Sequence, residues 1–200
     1  MPEPHQHLPN DVSLASLLAI FYSEQTQLAT FHKSPPDQLP EPYARLLNHA
    51  GHMTVTVEAY YQDSVDVRVL RSQTNQGDYC REILLSTHRD AKIVQYGIVR
   101  LHLELIPEPA RSEILAESKP LGRVLIDRQI LREVELFDLF LIACGPKLSE
   151  LLAVPQGTLT YGRTALIHCN HVPAIELLEI VAPVAAPADK STENSFVKHL

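Results

Sequence analysis

Cysteine is scarce in this chain, and the scarcity sets the first limit on what it can be. Only Cys80, Cys144 and Cys169 occur among 200 residues, too few and too scattered for a disulfide framework. The odd count suits a reducing compartment. Glycine is sparse as well, at seven residues, and no phosphate-cradling glycine loop is present, which speaks against a nucleotide enzyme. No apolar run approaches the roughly 20 residues needed to span a bilayer. Met1 to Asn10 has neither a basic n-region nor an apolar h-region, so no signal peptide is read and the cytoplasm is the expected compartment. Basic residues number 17 against 24 acidic ones, for a net charge of −7. That balance disfavours nucleic acid or an anionic membrane as the main partner. It still allows an anionic metabolite, provided a local basic pocket holds it.

Apolar residues make up 45% of the chain and charged ones 20%, as in an ordinary globular protein. At this length one core suffices without staples. The first ten residues, with Pro2, Pro4 and Pro9, read as loose. A helix is expected from Val12 to about Phe31, with Leu14, Leu17, Leu18 and Phe21 on its apolar side. A second, short helix is expected from Glu41 to His49. Met53 to Tyr60 is ambiguous, because its β-branched residues favour a strand while Val57, Tyr60 and Tyr61 recur at helical spacing.

From Ser64 onward, Val65, Val67 and Val69 alternate with Asp66 and Arg68, the pattern of a half-buried antiparallel strand. A turn at Asn75-Gln76-Gly77 leads into a strand from Tyr79 to Thr87, and a third strand runs from Lys92 to Leu105. A helix follows Pro107 and Pro109 to about Ser118, and Lys119-Pro120-Leu121-Gly122-Arg123 reads as a link. Arg132 to Cys144 is a strand, and a short helix from Gly145-Pro146 to Leu152 follows. Thr158 to His168 and Ala174 to Val181 are strands joined tightly through Cys169-Asn170-His171. Val184 to Leu200 reads as a tail. Hairpin-joined strands with helices in the connections predict the α+β class, a single antiparallel sheet with helices packed on it.

Several motifs carry little. His168-Cys169-Asn170-His171 has metal-like spacing, but side chains diverge in a tight hairpin and no second cluster completes a ligand set; no metal or cofactor is expected. No Gly-x-Ser-x-Gly elbow supports a serine nucleophile, and Cys80 within a strand reads as a small buried hydrophobe.

Two charges stand out. Arg81 shares a strand face with Tyr79 and Ile83, and Glu179 shares one with Ile175, Leu177 and Val181. A charge on an apolar face must be paired, hydrated or waiting for a ligand. An Arg81–Glu179 ion pair would explain both. So would strands buried on their other face, an alternative that Glu82 and Glu176 keep open.

Three segments occur in order: Tyr79-Cys80-Arg81-Glu82-Ile83-Leu84-Leu85, Lys119-Pro120-Leu121-Gly122-Arg123, and Pro173-Ala174-Ile175-Glu176-Leu177-Leu178-Glu179-Ile180-Val181-Ala182-Pro183. With His52-Met53-Thr54 upstream, their spacing resembles the chorismate pyruvate-lyase (4-hydroxybenzoate synthase) family, including its cyanobacterial and mycobacterial branch. The resemblance spans roughly Tyr43 to Pro183.

It implies a sheet of about six antiparallel strands closing a small pocket, with Met53 to Tyr61 helical. Residues 1–40 form an N-terminal extension with one helix, 41–183 the domain, and 184–200 a tail. In this family the strand arginine holds the ring carboxylate, a role that falls on Arg81. The Leu-Gly link contacts the same ligand through Leu121, and Met53 lines the pocket. The late glutamate, facing the ring hydroxyl as acid or base, is Glu179. One extra residue between Pro173 and Glu179 leaves Glu176 as a competitor for that role.

The implied reaction is a cofactor-independent cleavage of chorismate to 4-hydroxybenzoate and pyruvate, with product inhibition, feeding quinone (plastoquinone- or ubiquinone-type) synthesis in a monomer or weak dimer. The alternative is a domain that senses small aromatic acids, related to effector domains of bacterial transcription regulators. Such regulators carry an N-terminal winged helix, whereas residues 1–40 hold no basic recognition helix.

Overall fold

The computed structural model describes residues 12–75 and 77–184. Seven strands make one sheet: β1 (Ala29–Lys33), β2 (Val65–Asn75), β3 (Asp78–Thr87), β4 (Ile93–His102), β5 (Arg132–Cys144), β6 (Leu159–Cys169) and β7 (Val172–Val181). They lie in the order β1-β5-β6-β7-β4-β3-β2, and every neighbouring pair is antiparallel. The helices are short: α1 (Leu14–Ala19), α2 (Tyr43–Leu47), α3 (Met53–Tyr61), α4 (Ala110–Leu115), α5 (Leu121–Asp127) and α6 (Pro146–Leu152). The expected α+β class is the one observed, with one strand more than the resemblance implies.

Burial along the central strands β3, β4 and β7 is almost continuous, because both faces of the sheet are covered. The first face carries Leu84, Tyr96, Ile98, Leu178 and Ile180, packed under α1 and α6. The second face carries two separate apolar clusters. One joins Leu101, Ile167 and Leu177 to Ile114 of α4 and Val124 of α5. The other joins Ile83, Leu85 and Val181 to Leu46 of α2 and Val57 of α3.

Glu82 and Glu176 point to the first face, and each has its own arginine. Glu82 accepts hydrogen bonds from Arg71 Nε at 2.6 Å, the Tyr96 hydroxyl at 2.7 Å and the Tyr22 hydroxyl. Burial alone would raise the Glu82 pKa, but these donors outweigh it and hold the carboxyl below its ordinary value. Glu176 meets Arg100 in a bidentate pair at 3.1 and 2.5 Å. A helix the length of α1 does not hold in isolation. Here the Arg100 Nη1 donates to Ser16 Oγ at 3.0 Å, Arg71 Nη1 donates to the Phe21 carbonyl at 3.1 Å, and Leu17 and Leu18 are buried.

Three expectations are corrected. The helix over Val12–Phe31 is instead α1, a single 3-10 turn at Gln25–Gln27, and the edge strand β1. The polar run Ser23 to Gln27 has no apolar side to pack, and the backbone from Ala29 onward finds partners in the exposed edge of β5. The segment expected as a one-helix N-terminal extension therefore supplies a strand and part of the core. The Lys119–Arg123 link is the start of α5. Glycine inside a helix costs about 1 kcal/mol relative to alanine. A Cβ at Gly122, however, would lie 2.7 Å from Thr54 Oγ1, so only glycine lets α5 approach α3 this closely. Finally, the strand expected to reach Leu105 ends at His102, followed by a 3-10 turn.

The Met53–Tyr61 helix implied by the resemblance is present as α3, packing of Val57 and Met53 overriding the β-branched run. Asn170 and His171, both at positive φ, make the two-residue β6–β7 hairpin. The loose first residues and the Asn75-Gln76-Gly77 turn lie wholly or partly outside the described residues, and so does the tail beyond Val184.

Gly145 tests the docking of the N-terminal segment. A Cβ there would lie 2.7 Å from the carbonyl oxygens of Thr26 and Leu28, and backbone cannot rotate away. Gly145→Ala is expected to destabilise the fold by about 1–3 kcal/mol, read as a lower urea midpoint at unchanged m.

Candidate functional site

The two clusters of the second face do not meet. Between them lies a cavity roofed by the first turns of α3 and α5, with β3, β4, β7 and β6 as its floor. It offers about 40 Å³ to the centre of a water-sized sphere, several times the roughly 10–15 Å³ that one water needs on that measure. Arg81, Glu179, Met53 and Leu121, the four residues picked out in the sequence, all line it.

Register fixes their arrangement on the floor. Arg81 of β3, Val99 of β4 and Leu177 of β7 form one row across the sheet. Ile83, Gly97 and Glu179 form the next row, which continues to Arg163 on β6. Arg81 and Glu179 thus start about 10 Å apart across the strands and about 7 Å apart along them. Gly97, at the middle of the floor, adds no side chain of its own, and the Ile83 side chain leans over it, 3.3 Å from where a Cβ would stand.

Arg81 is fully buried, and none of its three guanidinium nitrogens has a hydrogen-bond partner among the described residues. Burial pulls its pKa down, partly offset by Tyr79 and Glu117 nearby, but a guanidinium does not surrender its proton in a protein. An isolated buried cation is among the costliest arrangements a fold can hold. This one faces a cavity.

Glu179 is not its partner. Glu179 Oε2 accepts from Arg163 Nε at 2.7 Å. Arg163 is itself nearly completely buried, and its other nitrogens donate to the carbonyls of Leu47 at 3.2 Å, His49 at 2.8 Å and Gly51 at 3.1 Å. The ion-pair explanation for Arg81 is therefore corrected: Glu179 has a different arginine, and among the described residues no carboxylate stands within ion-pair distance of Arg81. Glu176, the competitor, lies on the first face with Arg100 and takes no part in the cavity.

Sequence reasoning missed Arg163, His52 and Gln95. Arg163 alternates with Tyr161, Ala165 and Ile167 along β6, the same signal that singled out Arg81. Gln95 alternates with Gly97 and Val99 along an apolar strand. His52, just before α3, accepts a hydrogen bond from Arg132 Nε at 2.6 Å. Burial, with Arg132 and Arg163 beside it, lowers its pKa to about 4, so the ring is neutral near pH 7.

Cys80 is buried, and desolvation together with Asp78 pushes its thiol up to about 11, the character of a packing residue. Among the described residues no group of three or more His, Cys, Asp or Glu is placed to hold a metal, and no helix is long and apolar enough to cross a membrane.

No protein-family model matches the chain, and no curated protein matches it. Some solved structures share its general shape. The effector domain of PhnF from Mycobacterium smegmatis aligns at TM-score 0.48 and 12% identity, over 66% of this chain and 88% of that one. Gene product SA0254 from Staphylococcus aureus aligns at 0.48 and 10%, over 58% and 82%. A GntR-family transcriptional regulator from Enterococcus faecalis aligns at 0.41 and 10%, over 58% and 92%. Likeness at this level assigns no function.

Two outcomes follow from the site. Arg163→Met leaves the Glu179 carboxylate buried without its cation and is expected to cost about 3–5 kcal/mol. Adding Glu179→Gln recovers part of that loss, which a urea-unfolding cycle over the four proteins measures; strict additivity would mean the pair is uncoupled. His52 is neutral when folded and titrates near its ordinary 6.5 when unfolded. The unfolded chain therefore binds the extra proton, and stability is full above about pH 6.5 and falls toward pH 4. His52→Gln should flatten that part of the stability–pH curve.

Proposed function

We propose that this protein is a chorismate pyruvate-lyase, converting chorismate to 4-hydroxybenzoate and pyruvate. The observation that carries the reading is Arg81, a buried permanent cation with no hydrogen-bond partner among the described residues, lining a cavity of about 40 Å³ that a ligand would have to widen. A planar guanidinium matches a carboxylate in two parallel hydrogen bonds. Arg81 takes the ring carboxylate, while Met53 and Leu121 pack against the ring from the roof.

The reaction asks little of the protein. The C3–O bond to the enolpyruvyl group breaks, the C4 proton leaves, and the ring becomes aromatic as the released enol turns to pyruvate. Stability of the aromatic product supplies the drive, and the site contributes a fixed conformer and a route for the proton. Glu179, anchored through Oε2, keeps Oε1 for the substrate hydroxyl or the C4 proton. A snug apolar pocket also grips the product, so inhibition by 4-hydroxybenzoate accompanies this reading. The product would feed quinone synthesis.

A second reading is a sensor of small aromatic acids that uses the same cavity without turnover. The observation on its side is the Glu179–Arg163 pair at 2.7 Å, since a carboxylate tied to a fixed guanidinium is held in place as a binding group.

Incubation with chorismate separates the two. The lyase releases 4-hydroxybenzoate and pyruvate in equal amounts, and Arg81→Met lowers kcat/KM by about 100-fold or more. Binding of 4-hydroxybenzoate without turnover of chorismate would overturn the lyase in favour of the sensor.

A further inference from the structure

Few buried side-chain polar atoms lack a hydrogen-bond partner among the described residues. Two of them, on Asp78 and Glu113, sit beside basic side chains: His102 meets Asp78, and Arg128 and Lys119 flank Glu113. The rest belong to Arg81 and to Gln95, and both residues line the same cavity. Gln95 is 2% exposed, and its Oε1 has no partner.

Its place on the floor gives this a meaning. On β4, Gln95, Gly97 and Val99 project to one face, and Val99 pairs with Arg81 while Gly97 pairs with Glu179. Arg81 therefore stands at one end of the floor and Gln95 at the other, four residues along, or about 13 Å. Gly97, between them, adds no side chain of its own to the span, which the Ile83 side chain partly fills. Glu179 is one strand over and two residues along from Gln95, so the two converge on the end of the cavity away from Arg81.

We infer that Gln95 is a specificity-determining residue that hydrogen-bonds the ligand's hydroxyl at the end of the ring opposite the carboxylate held by Arg81. This assignment rests on the reading of the cavity as a site for an aromatic or pre-aromatic carboxylate. An amide suits a hydroxyl because it offers an acceptor to the O–H and a donor to the oxygen lone pairs. Glu179 alone offers only acceptors when ionised. A ligand lacking that hydroxyl leaves the buried amide unpaired, which is how a site built for an O–H rejects its deoxy analogue.

Calorimetric binding of 4-hydroxybenzoate and 4-methylbenzoate to the wild-type protein and to Gln95→Leu tests the assignment. Wild type is expected to favour the hydroxy acid, and Gln95→Leu to lower that preference by roughly 10- to 100-fold while keeping the methyl acid. Gln95→Met, unbranched like glutamine, replaces the leucine variant if the latter fails to fold. Absence of a preference in wild type, or an unchanged preference in a folded variant, overturns the role of Gln95 and leaves the carboxylate site standing. If wild type binds neither acid, the reading of the cavity fails and Gln95's role fails with it.

Discussion

Arg163 holds the second face of the sheet together. One buried guanidinium ties the Glu179 carboxylate on β7 to three carbonyls in the α2–α3 connection. That connection carries His52 and places Met53 at the first turn of α3, so the roof of the cavity is fixed to its floor through a single side chain. The three carbonyls would otherwise be underpaired close to the core, and the arginine would be a buried charge. Each settles the other's cost. Because that cation already holds a carboxylate and three carbonyls, Arg81 is the arginine better placed to hold an anion.

A pattern runs across the sheet. Glu82 with Arg71, Glu176 with Arg100, and Glu179 with Arg163 are three buried acids, each matched by a base on a neighbouring strand. The first two pairs also reach out to Ser16 and the Phe21 carbonyl, and so turn a short helix into a fixed cover. Against this complete pairing, Arg81 is the exception. A fold that pairs these three buried glutamates and leaves one buried arginine facing a cavity has kept that charge in reserve.

Much of this was legible in the strands. Alternation located β2, and the boundaries of β5 match the sequence reading residue for residue. Charge on an apolar face brought Arg81 and Glu179 into view, because strand periodicity fixes which side chains share a face. The pairing of Arg81 with Glu179 could not be decided that way, since the strands between them and the presence of Arg163 are matters of sheet order. The start of α5 was hidden because Gly122 disfavours a helix locally, and its reason for being there, contact with Thr54, is 68 residues away in sequence. β1 was hidden for the same kind of reason. Five residues with no turn signal become a strand only where β5 offers an edge.

That last feature bears on how the chain is made. Ala29 pairs with Cys144 and Lys33 with Phe140, so the first strand waits for the fifth. At ribosomal rates of about 5–20 residues per second, the wait is on the order of ten seconds. During it Leu17, Leu18 and Leu28, all buried in the finished protein, have no sheet to cover them. A segment made well ahead of the strand it pairs with thus docks late, and newborn chains pass through an interval in which Leu17, Leu18 and Leu28 are open to chaperones.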